Sequence, residues 1–385
     1  MVLSERQRMI RDTVAEFARR ELAPGAAARD RERRFPAEAF AKMAELGLMG
    51  MLVPEDWGGA GADLVSYALS IMEIAAADGA VSTAFQVHNS LACLPILAWG
   101  SRGQKERFLR PLASGTWLGA FCLTEPAAGS DAAAIRTRAR RRGNRWVLDG
   151  SKQFITSGRS AQLALVFAVT DPEAGRKGIS AFLVPTDTPG YRVARVEETL
   201  GQRATDHCHL VFEDCEVGPD QLLGEEGQGY AIALSGLEGG RIGVAAQSVG
   251  MARAAYEAAL AYARERRTFG KAIIEHQAVA FRLADMATGL AAAELMVLRA
   301  AALRDAGRPC LKEASMAKLF ASETAERICR EAIQVHGGYG YLADFPVERI
   351  YRDVRVCTIY EGTSDIQRLV IGRQIAAETG FHGVT

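Results

Sequence analysis

Apolar positions in the first third of the chain recur at helical spacing. Ser4-Glu5-Arg6-Gln7 has the order of a capping box, in which Ser4 and Gln7 satisfy each other's backbone donors. Ile10, Val14, Phe17 and Leu22 follow near a 3.6-residue period, which predicts a helix ended by Pro24-Gly25. Phe35-Pro36 opens a second helix that stops near Gly47, and residues 53–59 form a loop by composition. From about 119 to 226 the period drops to two. Trp146-Val147-Leu148 leads into Asp149-Gly150, a pair suited to a tight turn with positive φ. Residues 164–169 and 179–184 are short apolar runs bounded by Asp171-Pro172 and Pro185, and Leu210-Val211-Phe212 is another before Gly218-Pro219. Such runs predict a small antiparallel sheet. From 227 onward Ala-rich helical periodicity returns, over 228–267, 276–305 and 311–336. Helices, then strands, then helices predict a mostly α fold with a central β domain, divided at 1–118, 119–226 and 227–385.

Length and charge narrow the picture. At 385 residues the chain exceeds one ordinary core, which agrees with a division into two or three domains. Lys and Arg total 46 against 46 Asp and Glu, so no whole-protein field favours nucleic acid or an anionic membrane. The arginines of 136–145 flank Gly143-Asn144 and read as a solvated hairpin tip. Seven scattered cysteines without a CxxC pair indicate reduced thiols in a cytosol-like compartment. The polar N-terminus lacks a signal-peptide core, and no uncharged apolar run approaches the roughly 18 residues of a membrane span. These features lead us to expect a soluble protein. No GxGxxG follows a strand, and Walker A, GxSxG and HExxH sequences are absent, which removes support for nicotinamide, nucleotide-hydrolysis and serine-hydrolase readings.

Four segments hold residues able to do chemistry, and each also has a plain structural explanation. In 121–131, Thr124, Gly129 and Ser130 suit either a capped inter-domain turn or contacts to a ring edge and a pyrophosphate. Phe154, Ile155 and Thr156 end a strand, where an aromatic and a hydroxyl can meet a flat ligand. Arg264–267 close a long helix, where cations suit the helix dipole and an arginine also grips phosphate. In 359–368, Glu361 precedes Gly362 and a helix that Thr363 or Ser364 can cap; in an apolar site such a carboxylate serves as a general base, and otherwise it is a surface acid. His207, His209 and Cys215 lack a fourth ligand at metal spacing and read as parts of a strand.

Taken together and in this order, the segments resemble the acyl-CoA dehydrogenase family over nearly the whole chain: 53–59, the Thr-Glu-Pro segment, Gly-Ser-Lys-Gln-Phe-Ile-Thr, Gly201-Gln202-Arg203, Gly239-Gly240-Arg241, Arg267-Thr268-Phe269-Gly270-Lys271, 334–341 and 360–367. The resemblance implies an N-terminal helical domain, a middle antiparallel β-barrel domain and a C-terminal four-helix bundle, with FAD held without a Rossmann fold. It assigns Phe121, Leu123, Thr124, Gly129, Ser130, Phe154, Ile155 and Thr156 to the flavin ring and pyrophosphate. Arg266, Phe269 and Gln277 fall on the adenine side, with Gln334, Gly337 and Gly338 reaching the same FAD from a neighbouring subunit, and Thr363, Ser364 and Asp365 complete the set.

By the same resemblance Glu361 is the catalytic base that takes the α-proton of the thioester, while hydride passes from the β-carbon to flavin N5, giving a trans-2-enoyl-CoA. The developing enolate oxygen would meet the Glu361 backbone N–H and a flavin ribityl hydroxyl. Ser130, Glu238, Arg241 and Gly362 fall on the substrate side, although an ion pair also explains Glu238. Some members carry the base at the position of Gly240, which has no side chain here. His336 is expected to contribute backbone contact, not proton transfer. Residues 283–299, 314–330 and 201–230 are similar to the short-chain and branched-short-chain branch, including isobutyryl-CoA dehydrogenases of fatty acid or branched-chain amino acid degradation. Electron-transferring flavoprotein as acceptor, a homotetramer built as a dimer of dimers, and a bacterial cytoplasmic location (mitochondrial matrix for a processed eukaryotic chain) follow as expectations. An oxidase or flavin monooxygenase of the same fold, and a non-enzymatic scaffold, are the competing readings.

Overall fold

A computed structural model describes residues 2–378, so the last seven positions of the expected third domain, 379–385, lie outside the described residues. The N-terminal zone runs through α1 (Glu5–Phe17), α2 (Ala26–Glu32), α3 (Ala37–Glu45), α4 (Leu64–Ala77), α5 (Gly79–Gln86), α6 (Leu94–Trp99), α7 (Arg102–Gln104) and α8 (Arg110–Ala113). The capping box at Ser4 and Gln7 forms with both of its bonds. Pro24-Gly25, however, does not stop the chain. A widened turn and a 3₁₀ turn carry it into α2, with Pro24 at a position that needs no N–H. The guanidinium of Arg29 bonds the carbonyl of Leu22 and also pairs with Asp78 at 2.8 Å.

The sheet holds β1 (Gly119–Cys122), β2 (Arg138–Arg142), β3 (Arg145–Thr156), β4 (Leu163–Val169), β5 (Ile179–Pro185), β6 (Tyr191–Val196), β7 (His207–Val217) and β8 (Leu222–Leu223). Its order is β6-β7-β3-β2-β4-β5-β8, with β1 beside β4. It departs from a purely antiparallel pattern in two places, because β1 and β2 both pair parallel to β4. Asp149-Gly150 is likewise not a turn. The hairpin bends at Gly143-Asn144, and Asp149-Gly150 lies inside β3, where the register with β7 jumps between Leu148 and Gly150. There Gly150 takes φ 147°, and a Cβ would stand 2.7 Å from the backbone of Thr137, so a bulge occupies the place of the expected turn.

The C-terminal zone comprises α9 (Gly229–Glu265), a short ribbon of β9 (Arg267–Thr268) and β10 (Lys271–Ala272), α10 (Gln277–Asp305), α11 (Leu311–His336), α12 (Pro346–Val354) and α13 (Ser364–Glu378). By length and composition α10 is long and apolar enough to cross a membrane, although Asp285 and Glu294 break it well short of the uncharged run considered above. Its Ala293, Val297, Leu298 and Ala301 pack into a core that also takes Val14, Phe17, Tyr67 and Phe85 from the first zone and Ile242 and Val249 from α9. The two helical zones therefore share one core. The sheet has its own, around Trp146, Phe182 and Phe212.

Candidate active site

The base candidate sits where a loop enters α13. Glu361 takes φ 52°, a left-handed conformation that a non-glycine residue holds only under constraint from its surroundings. That constraint comes from both sides. Gly362, at φ 93°, gives its carbonyl to Lys318 Nζ at 2.7 Å and to Gln367 Nε2 at 2.9 Å, and the Tyr360 hydroxyl donates to Gln247 Oε1. Thr363 Oγ1 accepts from the N–H of Ile366 at 3.3 Å and so caps α13, while Ser364 Oγ is buried without a partner and Asp365 points outward.

The Glu361 carboxylate lies against α9. A Cβ built on Gly240 would stand 1.9 Å from Oε2, so the helix admits the carboxylate only because that position has no side chain. Oε2 is closed to water and has no hydrogen-bond partner. Burial pushes the carboxyl from its ordinary 4.5 up to about 7, against the smaller opposing pull of the Gln86 amide, Lys318 and Arg241. Burial also lowers Lys318 to about 8. Arg241 is 8% exposed and its Nε is unpartnered. Glu238 instead pairs with Arg304 at 3.6 Å, the ion-pair alternative for that residue.

A second group lies on the β domain. The turn after β1 is closed by Glu125 N–H donating to Ala128 O at 3.0 Å and the reciprocal bond at 3.1 Å. Beneath it Lys152, fully buried, donates to Glu125 at 2.7 Å and to Leu123 O at 3.0 Å, and Glu125 also accepts from the N–H of Thr137. Gln153 N–H donates to Thr124 O at 2.8 Å, which brings the 121–130 segment beside the end of β3. Gly129 and Ser130 are exposed, and Phe121, Thr124 and Thr156 are half-buried. Phe154 stands 65% exposed at φ 58°. Leu123 and Ile155 are in the core and offer only backbone.

The third group surrounds a cavity of about 480 Å³ lined by Tyr262, Arg266, Thr268, His336, Gly337 and Gly338 among others. Arg266 and Gly337-Gly338, which the resemblance divides between neighbouring subunits, line one cavity within a single chain. The ribbon turn and the α11 C-terminus are folded onto each other by Tyr262, whose ring stacks on His336 at 4.4 Å. Phe269 is 96% exposed at φ 50°, and Gln277 and Gln334 are exposed nearby in sequence. His336 is buried and donates its Nδ1–H to Ala332 O, 2.8 Å away. Among the described residues no His, Cys, Asp or Glu cluster suits a metal.

Several residues escaped sequence reasoning: Gln86, Lys318, Gln247, and the Lys152–Glu125 pair. Lys318 did leave a trace, as the one cation on the α11 stripe Ala314, Ala317, Ala321, Ala325. Gln86 left none.

Comparison with known proteins shows the family of the fold that carries these residues. Three family profiles match in order: Acyl-CoA dehydrogenase, N-terminal domain, over 4–116; middle domain, over 120–215; and C-terminal domain, over 227–376. The mitochondrial short-chain specific acyl-CoA dehydrogenase of Homo sapiens is 47% identical over 96% of this chain and 90% of its own. Butyryl-CoA dehydrogenase from Megasphaera elsdenii superposes with TM-score 0.96 at 40% identity, covering 97% of this chain and 99% of that one. A glutaryl-CoA dehydrogenase from Mycobacterium smegmatis in complex with FADH2 gives TM-score 0.93 at 33% identity, covering 99% and 97%.

Proposed function

The chain belongs to the acyl-CoA dehydrogenase family, a flavin-dependent family, and on that premise we propose that it desaturates a short-chain acyl-CoA, straight or branched, with FAD as cofactor and Glu361 as the general base. The observation that carries this reading is the Glu361 carboxylate, closed to water, unpartnered at Oε2 and raised to about 7. A thioester α-proton is weakly acidic, and a desolvated carboxylate of raised pKa is a stronger base than a surface one. Glu361 takes that proton, and the product is a trans-2-enoyl-CoA. The Glu361 backbone N–H is the chain's own donor to the enolate oxygen. Gly362 and Arg241 line the substrate side, as does Ser130 from the β domain.

The residues fit FAD. Exposed Phe154 offers a flat apolar face, Thr124 and Thr156 offer hydroxyls beside it, and unpartnered Ser364 Oγ offers a further donor. When bound, FAD supplies the acceptor for the β-hydrogen and its electron pair. Arg266, Gly337 and Gly338, which line the cavity, would hold the adenine side together with Phe269, Gln277 and Gln334. Gly240 and Tyr262 are 22 residues apart on one helix, and at about 1.5 Å per residue that is roughly 33 Å, farther than an extended dinucleotide reaches. We therefore assign the cavity of one chain to the FAD of a neighbouring chain, which makes assembly part of the proposed site. Exposed Phe281, Leu295, Met316 and Phe320 on α10 and α11 support a homotetramer of paired dimers. Electron-transferring flavoprotein is the assigned acceptor and bacterial cytoplasm the assigned compartment.

Anaerobic butyryl-CoA is expected to bleach the flavin, at a rate that rises with pH through about 7 as Glu361 loses its proton; stoichiometric peroxide under air would instead mark an oxidase. Arg266→Ala should release FAD on dialysis, read as a fall in flavin absorbance per chain, and unchanged content would remove Arg266 from the site.

A further inference from the structure

The residue before the base ends a line of buried side-chain hydrogen bonds that crosses the whole molecule. The Tyr360 hydroxyl donates to Gln247 Oε1 on α9. Gln247 Nε2 donates to Thr83 Oγ1 on α5 and to Ser82 Oγ at 2.8 Å. Thr83 Oγ1 donates to Gln202 Oε1 at 2.6 Å, in the loop between β6 and β7. Gln202 Nε2 then donates to the carbonyl of Asp353 at 3.1 Å, and the Gln202 backbone N–H bonds the Asp353 carboxylate. Gln247 and Gln202 each accept at Oε1 and donate through Nε2, and Thr83 Oγ1 both accepts and donates, so all the bonds run in one direction from Tyr360. Thr83, Gln202, Gln247 and Asp353 are each 2% exposed or less.

Two backbone features show that the line is built to close. Gln202 takes φ 52°, and a Cβ on Gly201 would lie 2.2 Å from the Arg352 carbonyl, so the loop reaches α12 only with glycine there. The Gly362 side of Glu361 is held from within the C-terminal zone, by Lys318 and Gln367. The Tyr360 side is held through residues of the first helical zone and the β domain.

We propose that Thr83, Gln202 and Gln247 are positioning residues that, through Tyr360, fix the left-handed backbone of Glu361, so that the packing of all three zones sets the aim of the base. This inference rests on Glu361 being the base. A buried network missing one member leaves its neighbours unpartnered and free to rotate, and a carboxylate displaced by about 1 Å loses on the order of 100-fold in rate.

The test uses the holoenzyme and acetyl-CoA, which has α-protons but no β-carbon to oxidise, so exchange of those protons into D2O reports deprotonation alone. Thr83→Val keeps the side-chain shape and removes the bonds to Gln247 and Gln202, along with a longer one to the Gly79 carbonyl at 3.2 Å. Exchange and flavin bleaching by butyryl-CoA should each fall about tenfold or more, with KM and flavin content near parental, and Thr83→Ser should restore both rates. Tyr360→Phe, which keeps the ring, should show the same fall even if Thr83→Val folds poorly. Parental exchange in Tyr360→Phe, or a loss that Thr83→Ser shares, overturns the proposal. Glu361→Gln run alongside separates the two ideas. Continued exchange there removes the base assignment, whereas lost exchange there with parental exchange in the Thr83 and Tyr360 variants removes the relay alone.

Discussion

Glu361→Gln is expected to lower turnover by roughly 10²–10⁴-fold while the protein keeps its flavin. The amide has the shape of the carboxylate but cannot accept the α-proton, so anaerobic substrate should bind without bleaching the chromophore. Turnover near the parental level would show that another group is the base. Stability should move the opposite way. The unfolded chain releases the Glu361 proton near 4.5, whereas the folded chain holds it to about 7. Between those values the unfolded state binds fewer protons, so this residue makes stability fall as pH rises, and above 7 the penalty is complete. The shift corresponds to at most on the order of 3 kcal/mol. Glu361→Gln should therefore melt higher than the parent at pH 8 and close to it near pH 4.5, as followed by calorimetry.

Gly240→Ala should separate activity from folding even more sharply. The added methyl would fall 1.9 Å from Glu361 Oε2, and something must move. What moves is the far end of a flexible side chain, a cheap adjustment. Alanine is also the better residue in a helix interior, by about 1 kcal/mol. The melting temperature should hold or rise, yet the carboxylate is pushed off its station and turnover should fall about 100-fold. A parental rate in this variant would mean that the carboxylate does not work from the position seen against α9.

How much of this was legible in the sequence depended on how far apart the interacting residues lie. The capping box at Ser4 and Gln7 and the hairpin tip at Gly143-Asn144 were readable because their chemistry is complete within a few residues. Pro24-Gly25 and Asp149-Gly150 misled for the complementary reason. The first is carried past its break by Arg29, itself paired to a residue 49 positions on, and the second is held in a strand by a third strand that local pattern does not reveal. Glu361 was recognisable only through the order of motifs around it, since a lone carboxylate before glycine says nothing about burial. The contacts that aim it were out of reach. Thr83 meets Gln202 across 119 positions, and Gln202 meets Asp353 across 151. The common cavity of Arg266 and Gly337-Gly338 was hidden in the same way, because sequence distance concealed the stacking of Tyr262 on His336.

The core shared by the two helical zones has a consequence for how the protein is made. Its first residues, from Val14 to Phe85, are synthesised long before Ile242, Val297 and Ala321, which complete it. A growing polypeptide must present an unfinished oily surface while the whole sheet is translated, and loop closure over such a span is slow. The earliest helices thus complete their packing only after the late ones have been synthesised.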